Sequence, residues 1–171
     1  MILLVAEGGP AAVDAALADH DVTQVATAAT ARAPDDRPLV VVLHRPSIPD
    51  ADALVEWLRS DQSWDPRVPI VVLADADRPT DLPLRPYDAI VTDTDEAAIA
   101  DATETAVAVA EYRGAVDDLY ERCLERAEGG AGPLDIDPDV TAARDRADER
   151  LDALPEDPEV LAALLADPDK S

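Results

Sequence analysis

The chain has 171 residues, 47% of them hydrophobic, and 38 Asp and Glu stand against 14 Lys and Arg for a formal net charge of −24. The apolar fraction is enough to build a core, and the length suits one domain with an appendage. The charge excludes a surface built for nucleic-acid phosphates, which needs clustered Lys and Arg.

The acids are spread over the whole chain, and Lys170 is the one lysine among the bases. At molar salt the Debye length falls to about 3 Å, and the self-repulsion of such a chain is largely screened. The composition is therefore read as that of a salt-in halophile, an archaeon, and the acidity as adaptation rather than a partner's footprint. Cys123 is the one cysteine, so no intrachain disulfide is expected. With only His20 and His44 beside it, no zinc set can be assembled. No apolar run approaches the ~20 residues of a membrane helix. The start, MILLVAEGGP, has no basic n-region and no cleavage site, so a cytoplasmic protein without cofactor is expected.

In chain order, five short apolar runs predict strands: Ile2–Val5, Val22–Ala26, Leu39–Leu43, Ile70–Leu73 and Ala89–Val91. Most are continuous rather than alternating, as in a parallel sheet covered on both faces. Helices between them imply right-handed βαβ units. The first helix follows Pro10 and presents Val13 and Leu17. A second, short one covers Thr27–Ala33. The third is capped by Asp50 and carries Ala51, Leu54, Trp57 and Leu58 on its apolar face. Between the fourth and fifth strands, Pro79, Pro83 and Pro86 block a regular helix, which predicts a loop or a single turn.

From Asp95 the pattern changes. Ile99, Ala102, Ala106, Val109, Val116, Tyr120, Cys123 and Ala127 recur at three-four spacing, interrupted by Arg113. This predicts one long helix to residue 128, carried through Gly114 at about 1 kcal/mol against Ala. Gly129–Pro133 then turns the chain. Asp137-Pro138 opens a helix to about Ala153 with Val140, Ala143, Ala147, Leu151 and Leu154 on its stripe, so a hairpin packed stripe to stripe is expected. Asp157-Pro158 repeats the device before Val160, Leu161, Leu164 and Leu165. That last segment suits a partner or the chain's own hairpin.

The strand and loop order resembles the receiver domain of two-component response regulators, a flavodoxin-like doubly wound α/β sheet of five parallel strands. The likeness covers about residues 1–112; residues 113–171 form the helical tail, whose first helix continues the last receiver helix. That tail resembles the HalX module that follows receivers in halophilic archaea. In the receiver pattern an acidic pair follows the first strand, where this chain has Ala6 and Glu7. Aligning Ile48-Pro49 with the family's Met-Pro pair sets Arg45 at the phosphoacceptor position, one residue after His44. Ala74-Asp75 stands where Thr or Ser and then Ala are usual, and Thr92-Asp93 where Lys-Pro is usual.

A protonated guanidinium is no phosphoryl acceptor, and of the family's magnesium ligands Glu7 alone remains. The resemblance thus implies a pseudo-receiver with a degenerate pocket of Glu7, His44, Arg45, Ala74, Asp75 and Thr92, no metal and no catalytic residue. Its action would run through protein contacts, with Val116, Tyr120, Cys123, Leu151, Leu161, Leu164 and Leu165 as the interaction surface, toward a protein partner or a second copy. A contact of Arg45 with Glu7 is expected to replace the cation. Two other readings stand beside this one: a plain homo-oligomerisation module paired through the long helix, and an enzyme on a flavodoxin-like scaffold, for which the sequence offers no Ser-His-Asp set.

Overall fold

In a computed structural model, the described residues are 1–8, 11–31, 37–61, 64–65, 67–75, 88–92, 95–128 and 137–154. The strands are β1 (Ile2–Val5), β2 (Val22–Val25), β3 (Val40–His44), β4 (Ile70–Leu73) and β5 (Ala89–Val91). All pair in parallel, in the order β2-β1-β3-β4-β5. The helices are α1 (Ala11–Ala16), α2 (Ala28–Ala31), α3 (Ala51–Ser60), α4 (Glu96–Glu128) and α5 (Pro138–Asp152), with one 3-10 turn at Arg45–Ser47. The layout is doubly wound and flavodoxin-like, as the apolar runs predict.

Period two divides the sheet's side chains between two layers. Leu3, Val5, Val41, Leu43, Ile70 and Val72 face Ala31 of α2 and Leu54, Val55 and Leu58 of α3. Ile2, Leu4, Val40, Val42, Val71 and Leu73 face Val13 and Leu17 of the α1 region and Ile99 and Ala106 of α4. The three central strands are wholly buried apart from His44, while edge strands β2 and β5 keep exposed positions. The third strand starts one residue later than its apolar run: Leu39 lies before it, 43% exposed.

Two helix starts differ in how they are made. Asp137 accepts a hydrogen bond from the Asp139 N–H at 2.9 Å, with Pro138 at the first helical position, as predicted for α5. Asp50 makes no side-chain cap hydrogen bond; its carbonyl accepts from the Leu54 N–H. Trp57 is half-buried and meets Trp64 edge to face, with ring centroids 5.9 Å apart. The proline-rich connection after β4 falls largely at 76–87, outside the described residues.

Helix α4 runs unbroken through Gly114 and packs against α5. The hairpin is present, and α5 buries Ala143, Ala147 and Leu154 of its predicted stripe, but the face of α4 that it meets is not the predicted one. The α4 stripe lies on the sheet through Ile99 and Ala106, and Val109 is buried too. Helix α5 sits on a neighbouring face of α4. Arg150 reaches Glu111 at 2.8 Å and Arg146 reaches Asp118, while Ala143 and Ala147 are buried. The continuation of the α4 stripe therefore stays uncovered: Val116 is 38% and Tyr120 64% exposed, and Cys123 is exposed too. Arg113 interrupts the stripe where α4 passes the loop before β4, and it donates to the Arg67 carbonyl at 3.2 Å. Arg67 in turn holds Asp117 at 2.9 Å.

Thr103 is wholly buried in α4, and its hydroxyl has no hydrogen-bond partner among the described residues. Burying an unsatisfied hydroxyl is costly. Thr103→Val is expected to raise stability by about 1 kcal/mol in chemical denaturation at molar salt; a loss of stability would mean that the hydroxyl is satisfied.

Candidate functional site

In a doubly wound sheet the crevice lies at the carboxyl ends of the strands where the winding reverses. Here that point lies between β1 and β3, neighbours in the sheet but two strands apart in sequence. It is built from the loop after β1, the last residue of β3 and the 3-10 turn that follows. Gly8 turns the first loop at φ 67°, a left-handed conformation that glycine adopts freely.

The hub is a residue that sequence reasoning passed over. Ser47 Oγ lies 2.9 Å from His44 Nδ1, 3.1 Å from the Glu7 backbone N–H and 3.1 Å from the His44 carbonyl. A hydroxyl has one proton and two acceptor lone pairs. When Ser47 donates to the His44 carbonyl and accepts from Glu7 N–H and His44 Nδ1–H, all three contacts are satisfied at once. When it donates to Nδ1 instead, the carbonyl contact holds no hydrogen. The network thus assigns the Nδ1–H tautomer to His44. Burial pushes the His44 pKa down, against the opposing pull of the Asp75 charge, and so favours the neutral ring.

Arg45 is committed elsewhere. Its Nε and Nη2 hold Asp52 Oδ1 and Oδ2 in the first turn of α3, both at 2.8 Å. The fork meets this carboxylate and not that of Glu7, so the expected Arg45–Glu7 contact is corrected: Glu7 enters the site through its backbone. The Asp52 hydrogen bonds, set against a smaller effect of burial, raise the Arg45 pKa. The Arg45 side chain is 15% exposed, and its Nη1 has no hydrogen-bond partner among the described residues. The pairing ties the turn after β3 to the start of α3.

Of the other predicted positions, Ala74 is buried and donates its N–H to the Val91 carbonyl at 2.9 Å, extending the pairing of β4 with β5. Asp75 is exposed and acts on His44 and Arg45 through its charge. Thr92 follows β5, two strands from β3, and is exposed. Asp93 lies outside the described residues, as do Leu161, Leu164 and Leu165. Among the described residues no group of three His, Cys, Asp or Glu is placed to hold a metal ion.

The structure does bring a serine, a histidine and an aspartate's charge to one sheet edge. Nucleophilic use of Ser47 would need a base to take its proton. In the assigned tautomer Nδ1 already carries one, and the hydroxyl proton points to a carbonyl. The arrangement is a clasp that fixes the β1 loop against the β3 turn. Its sequence signal is slight: a serine three residues after a strand end can bond back to the backbone, but many loop serines do so.

The burial of His44 has a pH signature. The folded pKa of His44 lies below its unfolded value, so the unfolded chain takes up this proton first. The stability that its neutrality provides is complete above the unfolded pKa of about 6.5 and is lost as pH falls through the window below it. Asp118 is held below the ordinary carboxylate range by its Arg146 hydrogen bond. Asp65 is held there by hydrogen bonds from Arg67 that outweigh its burial. Both lose their contributions at lower pH, under about 4. Comparing denaturation of the parent and His44→Gln from pH 7 to 5, the parent is expected to lose more stability; equal slopes would mean that the His44 ring is solvated rather than buried.

Compared with models of known protein families, with curated proteins and with solved structures, the chain matches none of them.

Proposed function

We propose that the chain is a pseudo-receiver: a phosphorylation-independent regulator or adaptor of a two-component-like pathway, cytoplasmic and acting through protein contacts. The observation that carries this reading is the clasp. At the switch point, where a sheet of this kind does its chemistry, Ser47, His44 and the Glu7 N–H are occupied with one another, and Arg45 is occupied with Asp52. A loop locked in one state without metal or phosphate presents a constant surface to a partner. No helix among the described residues is long and apolar enough to cross a membrane, which is compatible with this setting.

The test is capture by the full chain in molar salt, followed by cross-linking and mass spectrometry. A sensor kinase or another regulator cross-linked beside the Glu7 or Arg45 loops supports the reading. Cross-links confined to copies of the chain itself would favour the second reading, a plain homo-oligomerisation module, which the exposed Val116 and Tyr120 support. The enzyme reading is weakened by the tautomer argument on Ser47.

A further inference from the structure

Helix α4 carries a glycine that its surroundings do not call for. Gly114 is exposed in the interior of this 33-residue helix, and a Cβ placed there would meet nothing within 4 Å among the described residues. Its φ is not positive, and no neighbouring backbone comes close. Alanine would make the more stable helix here, because glycine gives up more backbone freedom on folding. The position is also a junction. Val109 is the last buried residue of α4, so the helix has left the core before it reaches Gly114.

What meets the helix around Gly114 is charge. Arg67, in the loop before β4, grips α4 on both sides of the glycine. Its carbonyl accepts from Arg113 Nη1 at 3.2 Å, while its Nη1 and Nη2 hold Asp117 Oδ1 and Oδ2 at 3.1 and 2.9 Å. Asp65 fixes the Arg67 backbone N–H at 2.9 Å and its Nε at 3.0 Å, so the grip comes from a braced loop. Arg113 and Asp117, spaced i and i+4, share one face of the helix. About a third of a turn away, α5 spans the glycine in the same manner. Arg150 holds Glu111 before it at 2.8 Å, and Arg146 holds Asp118 after it.

We propose that Gly114 is a hinge and Arg67 its latch. With Arg113 and Asp117 gripped, α4 runs straight; with the grip released, the part from Ala115 to Glu128 changes its angle to the sheet. Hinges absorb backbone rotation at a few positions, often small residues, and glycine resists that rotation least. The latch is weak by construction. The Arg67 and Asp117 side chains are 46% and 54% exposed, and such pairs are screened in molar salt. The bent form therefore stays within reach of a partner that binds it better. Val116, Tyr120 and Cys123 ride on the moving part, so the hinge sets where this exposed face points relative to the sheet. The device is independent of the pseudo-receiver reading.

The test is double electron–electron resonance on the full chain in molar salt, with one spin label on Cys123 and one on Ala53→Cys, both exposed positions. Helix α3 packs on the opposite face of the sheet from α4, so the pair of labels reads the angle. The parent is expected to give one dominant distance. Arg67→Ala, which removes the grip on Asp117, is expected to raise the population at a second distance about fivefold, the weight of an exposed ion pair. Adding Gly114→Ala to Arg67→Ala should restore the single distance, since alanine stiffens the hinge and leaves the latch undone. Asp117→Ala, a change of one exposed side chain, takes the place of Arg67→Ala if that variant fails to fold. A distribution unchanged by loss of the latch would mean that α5 alone keeps the helix straight, and a second distance that survives Gly114→Ala would place the bend elsewhere; either result overturns the proposal.

Discussion

Asp88→Ala is expected to cost about 3–5 kcal/mol, the usual consequence of leaving one member of a buried ion pair alone. Asp88 is fully buried and Arg59 is 7% exposed at the side chain. Arg59 Nη2 donates to Asp88 Oδ1 at 2.6 Å and also to Oδ2, and its Nη1 donates to the Val68 carbonyl at 2.8 Å. The Ile70 N–H donates to Asp88 Oδ1 at 2.8 Å. One carboxylate therefore joins the end of α3, the start of β4 and the start of β5. Its removal takes a buried carboxylate from the Arg59 guanidinium and from the Ile70 amide together. The double variant Arg59→Met, Asp88→Leu should recover most of the loss, because apolar replacement of a whole buried pair is often near neutral. Equilibrium denaturation at molar salt measures both. A loss under about 1 kcal/mol for Asp88→Ala would mean that the pair is solvated.

Stability is expected to rise steeply with salt. With 38 acids against 14 bases the folded chain repels itself. The Debye length shrinks from ~30 Å at 0.01 M to ~3 Å at 1 M, which removes most of that repulsion. A gain of about 3–4 kcal/mol moves the midpoint of a chain this size by roughly 10 °C. The surface pairs Arg122–Asp118 and Arg144–Asp148 work in the opposite direction, but exposed pairs contribute little. A thermal scan from 0.05 to 3 M potassium chloride decides the point; a flat midpoint would contradict the halophile reading of the composition.

What could be read from the sequence was local. Continuous apolar runs marked β1, β3 and β4 because a strand covered on both faces has no polar side to show. Asp137-Pro138 marked the start of α5 because a cap needs only its own next residues. The long helix and its turn into a hairpin followed from three-four spacing. What could not be read was which distant residues meet. Arg59 with Asp88 and Glu7 with Ser47 are 29 and 40 residues apart, and no local pattern joins them. The α4 stripe was found correctly, but its partner was not, because spacing identifies a face and not what lies against it. Asp50 failed as a cap because a favourable residue type at a helix start does not fix where its carboxylate goes.

Central to this account is that the switch-point loops are held by Ser47 and Arg45 rather than by phosphate and metal. The most direct measurement is intact mass together with the amide spectrum of the full chain before and after acetyl phosphate and magnesium at molar salt. The account predicts an unchanged mass and unmoved signals for Glu7, His44, Ser47 and Asp75. A phosphoryl adduct on His44 or on an aspartate of the sheet edge, with shifts in those loops, would contradict it.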